Sequence, residues 1–526
     1  MLTLILGIPL LAALGVAFIP GNLRVLIRAL AVLATLISAV LAVVMFWQFN
    51  TAPVDAYGFK FVQQASWVQS LGISYHVGVD GINVGLVLMG AIVAFAAACV
   101  SWEIKSREKE FYLLLLVMTG GILGAFASLD LFLFYFFHEL ALVPTFIMIG
   151  VWGRGRDKNY ATFQITMYLS VGALVALAGL ILLYVQAGAN TFDIPELLAY
   201  LDKNPLSSEG QRLIFPLLLF GFGILVSLWP FHTWAPLGYG SAPSPTAMLH
   251  AGVLKKFGLY GLLRIALPML PGAAKTWMPV IAWLCLGNLL YSGWVAMRQK
   301  DFNWLAGYSS VAHMGFVFLG LATLSLVGVT GAVLVMVAHG FLAALTFGLN
   351  GYIYQQTGTL QLDELGGLMR KLPFIGAAVM MAAFAGCGLP GFANFAGEIT
   401  VFFGAWNAFR TVTILACWGA LLVGAVYMLR AIRAILHGPL PEKFNEVTDA
   451  GLWRKLPFGL LLASLLVFGF APRLLTDKIQ PSVQPIVDRF GPQVTTATSG
   501  TASTDLRTAQ PSASALAASA SSLLNR

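Results

Sequence analysis

Apolar residues in this chain gather into runs long enough to cross a bilayer, separated by short polar connections. Windows of about 20 apolar residues, the length a membrane helix needs, predict fourteen spans. They lie near residues 2–20, 23–48, 80–101, 111–128, 130–152, 160–187, 212–235, 243–267, 277–297, 303–324, 328–356, 373–403, 409–436 and 455–472. The predicted fold class is all-α and polytopic. Longer connections fall at 49–79 and 188–211, and a loop with two prolines and several charges falls at 438–452.

Two runs are interrupted midway. The seventh breaks at LWPFHTWAPLG (228–238), which holds Pro230, His232 and Pro236, and the twelfth at CGLPGFANFAGE (387–398), which holds Pro390 and Gly391. Proline removes a rung of the helix ladder, and irregular backbone at membrane depth is tolerated only inside protein or beside a wet cavity. The breaks lie five spans apart, an odd number, so the units that carry them are inverted. Paired broken helices in corresponding positions point to a transport site. The predicted organisation is helices 1–3 over residues 1–110, a first repeat over 111–267, a second over 268–436, an inner loop and last span over 437–475, and a disordered tail over 476–526. Beyond Pro492 the tail turns to Ser, Thr and Ala, which cannot bury enough surface to fold.

Composition agrees: 59% of residues are hydrophobic and 10% charged, far from soluble usage. Cys99, Cys285, Cys387 and Cys417 stand singly, so the sequence supports neither a disulfide framework nor a zinc or iron–sulfur site. No dinucleotide fingerprint or P-loop appears. Redox chemistry or ATP use would therefore belong to partners, with no cofactor in this chain and no nucleic acid bound. The net charge of +8 follows the positive-inside pattern. Arg24, Arg28, Lys105, Arg107, Arg154, Arg156, Arg370, Lys371, Arg430 and Arg433 fall on one side, which places both termini on the outer side. Met1–Pro20 lacks a basic start and a cleavage site, as expected of a retained span.

Charged residues inside spans are costly, and each is a functional hypothesis by default. Glu139 lies in the fifth span beside His138, which is expected to point to another face and to serve packing. Lys255 and Lys256 adjoin in the eighth span and project about 100° apart on a helix. Lys256 is the one expected to face the interior; the alternative has both near the end of a shorter helix, reaching for water. Glu398 closes the second break, either as a proton site or as a cap. His232, His250, His313 and His339 also lie within spans, where histidine relays protons near neutral pH or simply packs. They are too dispersed for a metal site.

The segments YHVGVDGI (75–82), FFHELALVP (136–144), WPFHTWAPLGYGSAP (229–243), LHAGVLKKFGLYGLLR (249–264), YSSVAHMGF (308–316), LDELGGLMRK (362–371) and GLPGFANFAGE (388–398) resemble the subunit M, or mitochondrial chain 4, family. These are the antiporter-like membrane subunits of NADH:quinone oxidoreductase, respiratory complex I. The resemblance covers roughly residues 70–435. It implies fourteen helices, two inverted five-helix repeats with discontinuous seventh and twelfth helices, and a mid-membrane row of charges that carries protons. Glu139, Lys256, His339 and Glu398 match that row, with His250, His313 and Lys255 beside it. NADH, FMN, iron–sulfur clusters and quinone would sit in partner subunits. The implied surroundings are other membrane-arm subunits, two of them antiporter-like neighbours, and lipid, in a bacterial inner membrane.

The chain departs from the family at one telling position. The seventh-helix lysine that pairs with the fifth-helix glutamate falls on Leu225, and the acid and histidine after the second break proline fall on Leu237 and Tyr239. Lys255 is a candidate substitute partner for Glu139. Two rival readings remain open. One is a subunit of a multisubunit sodium/proton antiporter or of a ferredoxin- or hydrogenase-linked relative; the other is a silenced subunit that only holds the membrane arm together.

Overall fold

The computed structural model describes residues 1–491, apart from the side chains of residues 421 and 422. The chain opens with α1 (Leu2–Phe18) and α2 (Arg24–Gln48), followed by an antiparallel hairpin of β1 (Lys60–Val68) and β2 (Ile73–Val79). Next come α3 (Val84–Val100), α4 (Glu108–Ala127), α5 (Leu131–Trp152), α6 (Lys158–Ala187) and the short α7 (Ile194–Lys203). The middle of the chain forms α8 (Ser208–Val226), α9 (Trp234–Ser241), α10 (Ser244–Gly252), α11 (Phe257–Gly261) and α12 (Leu267–Met269). After these run α13 (Pro271–Leu286), α14 (Ser292–Arg298), α15 (Phe302–Ala322) and α16 (Leu326–Thr357). The last elements are α17 (Pro373–Gly386), α18 (Ala393–Ala408), α19 (Arg410–Cys417), α20 (Gly424–Leu436), α21 (Leu452–Phe470) and α22 (Arg473–Asp488). Among the described residues, 11 helices, some continued through π turns, are long and apolar enough to cross a membrane; α1 and α17 are shorter apolar helices.

Burial sorts the helices. α3, α15 and α16 are enclosed on nearly all sides, while α2, α6 and α21 bury one face and leave Leu33, Phe163, Val171 and Phe470 outside. A helix that is apolar all round is either enclosed or lipid-facing, and hydropathy alone does not separate the two. Starts are fixed by acids and hydroxyls: Asp130 accepts from the Phe132 and Leu133 amides, Asp301 from Asn303 and Trp304, and Ser325 from Gly328. Asp130 also accepts from the Ser74 amide of the hairpin, and burial pushes its carboxyl above the usual range. The boundary residue Asp80 forms a buried ion pair with Arg264 at 2.6 Å.

Three expectations are corrected. The 49–79 connection is a β-hairpin, so the fold is not purely helical. The 188–211 connection contains α7, capped by Asp193. The stretch 476–488, expected within the disordered tail, belongs to α22, which buries Leu475, Ile479, Val483 and Ile486 at helical spacing. Its backbone lies so close to Gly81 that a Cβ there would stand 1.6 Å from the Lys478 carbonyl oxygen. Pro481 and Pro485 and the absence of a long apolar run hide this helix from a search for spans. The rest of the expected tail, 492–526, lies outside the described residues.

Candidate functional site

The first break is built from an unwound segment and a clamp. α8 ends at Val226, Ser227 takes a left-handed φ of +68°, and α9 restarts at Trp234. Pro230 and His232 lie in the intervening turns, and Pro236 sits in the first turn of α9. The freed backbone groups need partners. Asn288, fully buried in the π turn between α13 and α14, accepts from the Trp229 amide at 2.8 Å and donates to the Ser227 carbonyl at 2.9 Å and the Val311 carbonyl at 3.1 Å. The Trp234 indole donates to the Ile224 carbonyl at 3.0 Å. His232 Nδ1 lies 3.2 Å from the Pro230 carbonyl, and its ring packs against Tyr291 and Tyr308. His232 therefore holds the break rather than joining the charged row. Asn288 gave no sequence signal beyond an amide inside an apolar run.

The second break unwinds between α17 and α18. Gly388 and Gly391 have φ of +68° and +99°, a region that only glycine enters without strain. A Cβ at Gly388 would stand 2.8 Å from the Glu398 Oε2, so glycine also gives the carboxylate room. Pro390 lies between the two glycines, where no ladder bond is lost.

A row of side chains runs between the two breaks. The α10 ladder is interrupted after Gly252, and Lys255 and Lys256 fall in a 3-10 turn, Leu254–Lys256, ahead of α11. Lys256 Nζ reaches the Ala251 carbonyl at 2.6 Å and His339 Nδ1, on α16, at 2.8 Å. The His339 ring lies 5.3 Å from the His313 ring on α15. His313 Nδ1 faces the Ser309 carbonyl at 2.7 Å and so carries hydrogen; its Nε2 lies 3.6 Å from Glu398 Oε1 on α18. Attraction across that last gap requires one proton, on the imidazole or on the carboxyl. All four side chains are buried.

Both lysines are enclosed, Lys255 at 1% and Lys256 at 0% exposure. This corrects the expectation that Lys255 points away: the tight turn directs the two ammonium groups to different buried partners. Lys255 Nζ lies 3.3 Å from Ser310 Oγ and 5.6 Å from the centre of the Tyr239 ring. The Tyr239 hydroxyl in turn lies 3.0 Å from His250 Nδ1. Glu139 stands apart from the row. Its side chain is 33% exposed, and its ion-pair neighbour is His138 at 3.5 Å, not Lys255. Leu225 is buried in the last turn of α8.

Residues 128–424 match the family described as NADH:quinone oxidoreductase/Mrp antiporter, TM. NAD(P)H-quinone oxidoreductase chain 4 1 of Synechococcus elongatus is 34% identical, over 90% of this chain and 89% of the relative. NADH-quinone oxidoreductase subunit M of Rhodobacter capsulatus is 33% identical, over 90% and 92%. A chain of respiratory complex I from Thermus thermophilus, solved with bound NADH, superposes with a TM-score of 0.85 at 28% identity, covering 94% of this chain and 100% of that one. With the two broken helices, the buried lysine–histidine–glutamate row and these likenesses together, the chain belongs to the antiporter-like, proton-translocating membrane subunits of the NADH:quinone oxidoreductase/Mrp antiporter family, as a subunit M or chain 4 type member.

Proposed function

We propose that this chain carries protons across a bacterial inner membrane as one subunit of a complex I-type NADH:quinone oxidoreductase. NADH oxidation and quinone reduction occur in partner subunits, which hold the FMN, the iron–sulfur clusters and the quinone. In this reading the chain has fourteen membrane passes, with both termini on the outer side. Each of the two inverted repeats, 111–267 and 268–436, contributes one broken helix, and two antiporter-like subunits flank it in the membrane arm.

The observation that carries the reading is the buried row Lys256–His339–His313–Glu398, which joins the turn after the first break to the helix restarting at the second. Lys256 takes a proton from the inner side. His339 and His313, each with one ring nitrogen directed at a neighbour, relay it, and Glu398 releases it outward. Lys255, Tyr239 and His250 form a branch beside the point of uptake. Glu139, at the half-exposed edge of α5, receives the electrostatic signal from a neighbouring subunit. Moving one charge against 100 mV costs about 2.3 kcal/mol, so modest field changes along the row drive each step.

The test is NADH-driven acidification of inverted membrane vesicles with quinone reduction recorded in parallel. Lys256→Ala is expected to lose acidification while the complex stays assembled. Normal acidification in that variant would reject the reading.

A further inference from the structure

The loss of the seventh-helix lysine leaves Glu139 without the cation that the family resemblance implies. Leu225 is buried among apolar side chains and offers no charge. A different group fills the need. His138 is buried, and its Nδ1 lies 3.5 Å from Glu139 Oε1. Both of these atoms are buried and lack any hydrogen-bond partner. A buried polar atom left unpaired is costly; a proton on the imidazole gives both atoms a partner at once by making an ion pair.

The imidazole is also held in place. It stacks on Phe257 with ring centres 3.9 Å apart and planes 19° apart, and Phe257 directly follows Lys256 in the chain. Phe134, one turn earlier on α5, stacks on the same ring at 4.2 Å. Around His138, the titratable groups are Tyr135 and Glu139 on α5, His250 on α10, and Lys255 and Lys256 in the turn that follows. Successive helical residues diverge by about 100°, and for this reason the sequence gives His138 a packing role. The longer glutamate arm nevertheless closes the gap.

We propose that His138 is the proton-carrying partner of Glu139, so that in this chain the ion pair lies within α5 instead of between the fifth and seventh helices. Such a pair behaves differently from a lysine–glutamate pair. Lysine keeps its charge when the pair opens. An imidazolium that loses its carboxylate gives up its Nδ1 proton to water and takes one proton back when the pair re-forms. Each opening and closing of the pair therefore releases and recovers one proton at α5. This inference rests on the proposed translocation function.

The test uses the assembled complex in inverted vesicles, with protons moved per quinone reduced as the readout and subunit content checked on native gels. His138→Gln keeps a hydrogen-bonding arm without titratable charge, and His138→Phe keeps the stack on Phe257. Both are expected to lower the ratio to the level of Glu139→Gln, and the His138→Gln/Glu139→Gln double variant to fall no further. Introducing Leu225→Lys into His138→Phe is expected to restore the ratio, an outcome that a purely structural role for His138 would not give. A normal ratio in both His138 variants beside a lowered one in Glu139→Gln would overturn the pairing and leave the translocation reading intact. Normal ratios in all of them would remove the channel reading and the pairing with it.

Discussion

The Lys256 ammonium stands 2.8 Å from Nδ1 of His339, across the gap between the α10–α11 turn and α16. One proton serves that contact from either side: a charged Lys256 donates to a neutral imidazole, and after proton transfer the imidazole Nδ1–H donates to the neutral amine. Desolvating an ammonium group costs several kcal/mol. Lys256→Met, which keeps the stem and drops the charge, is therefore expected to leave the thermal midpoint of the complex unchanged or higher while abolishing acidification of vesicles. His339→Ala should act oppositely on stability, because it strands the ammonium with the Ala251 carbonyl as its remaining hydrogen-bond partner.

Asn288 makes a sharper stability prediction. Its amide satisfies the Trp229 amide and the Ser227 and Val311 carbonyls at the first break. Each buried group left unpaired costs about 1–3 kcal/mol. Asn288→Ala should therefore lower the melting midpoint of the purified complex more than Asn303→Ala, where the side chain meets one partner, Asn350. Equal shifts in the two variants would argue that the clamp carries no special weight.

Two glycines separate backbone strain from crowding at the second break. Gly388 and Gly438 both have positive φ, +68° and +92°, but a Cβ at Gly388 would meet the Glu398 carboxylate whereas one at Gly438 would meet nothing within 4 Å. A left-handed conformation costs an L residue about 1–2 kcal/mol. Alanine at either site should show that loss in thermal melts, and alanine at Gly388 alone should also reduce proton translocation by displacing Glu398.

The hairpin end should respond to pH through Asp130. Burial raises its carboxyl above the usual range in the folded chain, against the opposing bonds from the Ser74, Phe132 and Leu133 amides. A raised folded value means that the folded state holds the proton more tightly than the unfolded chain. The stability it contributes is complete below the unfolded value of about 4 and is lost as pH rises through the folded one. Melting of the native complex should therefore weaken as pH climbs above that point. In Asp130→Asn this slope should flatten, with a constant penalty for the lost acceptor at the Ser74 amide.

By itself the sequence determined what depends on local composition. Long apolar runs require membrane helices because backbone groups find no water there, and the clustered prolines and glycines around Pro230 and around Pro390 and Gly391 mark the breaks. Lys256, His339 and Glu398 stand out because an ionised or polar group in such a run is costly to keep. Tertiary structure alone decided which of these groups meet. The adjacency of Lys255 and Lys256 could not reveal a 3-10 turn that buries both and sends one to Ser310 and the other to His339. Nor could a glutamine- and proline-bearing stretch announce α22, whose stability comes from the face it buries and not from its own hydropathy. His138 and Asn288 were illegible for the same reason. Their roles lie in what stands within hydrogen-bond or ion-pair reach, and that distance is set by the packing of α5, α11 and α13 against their neighbours.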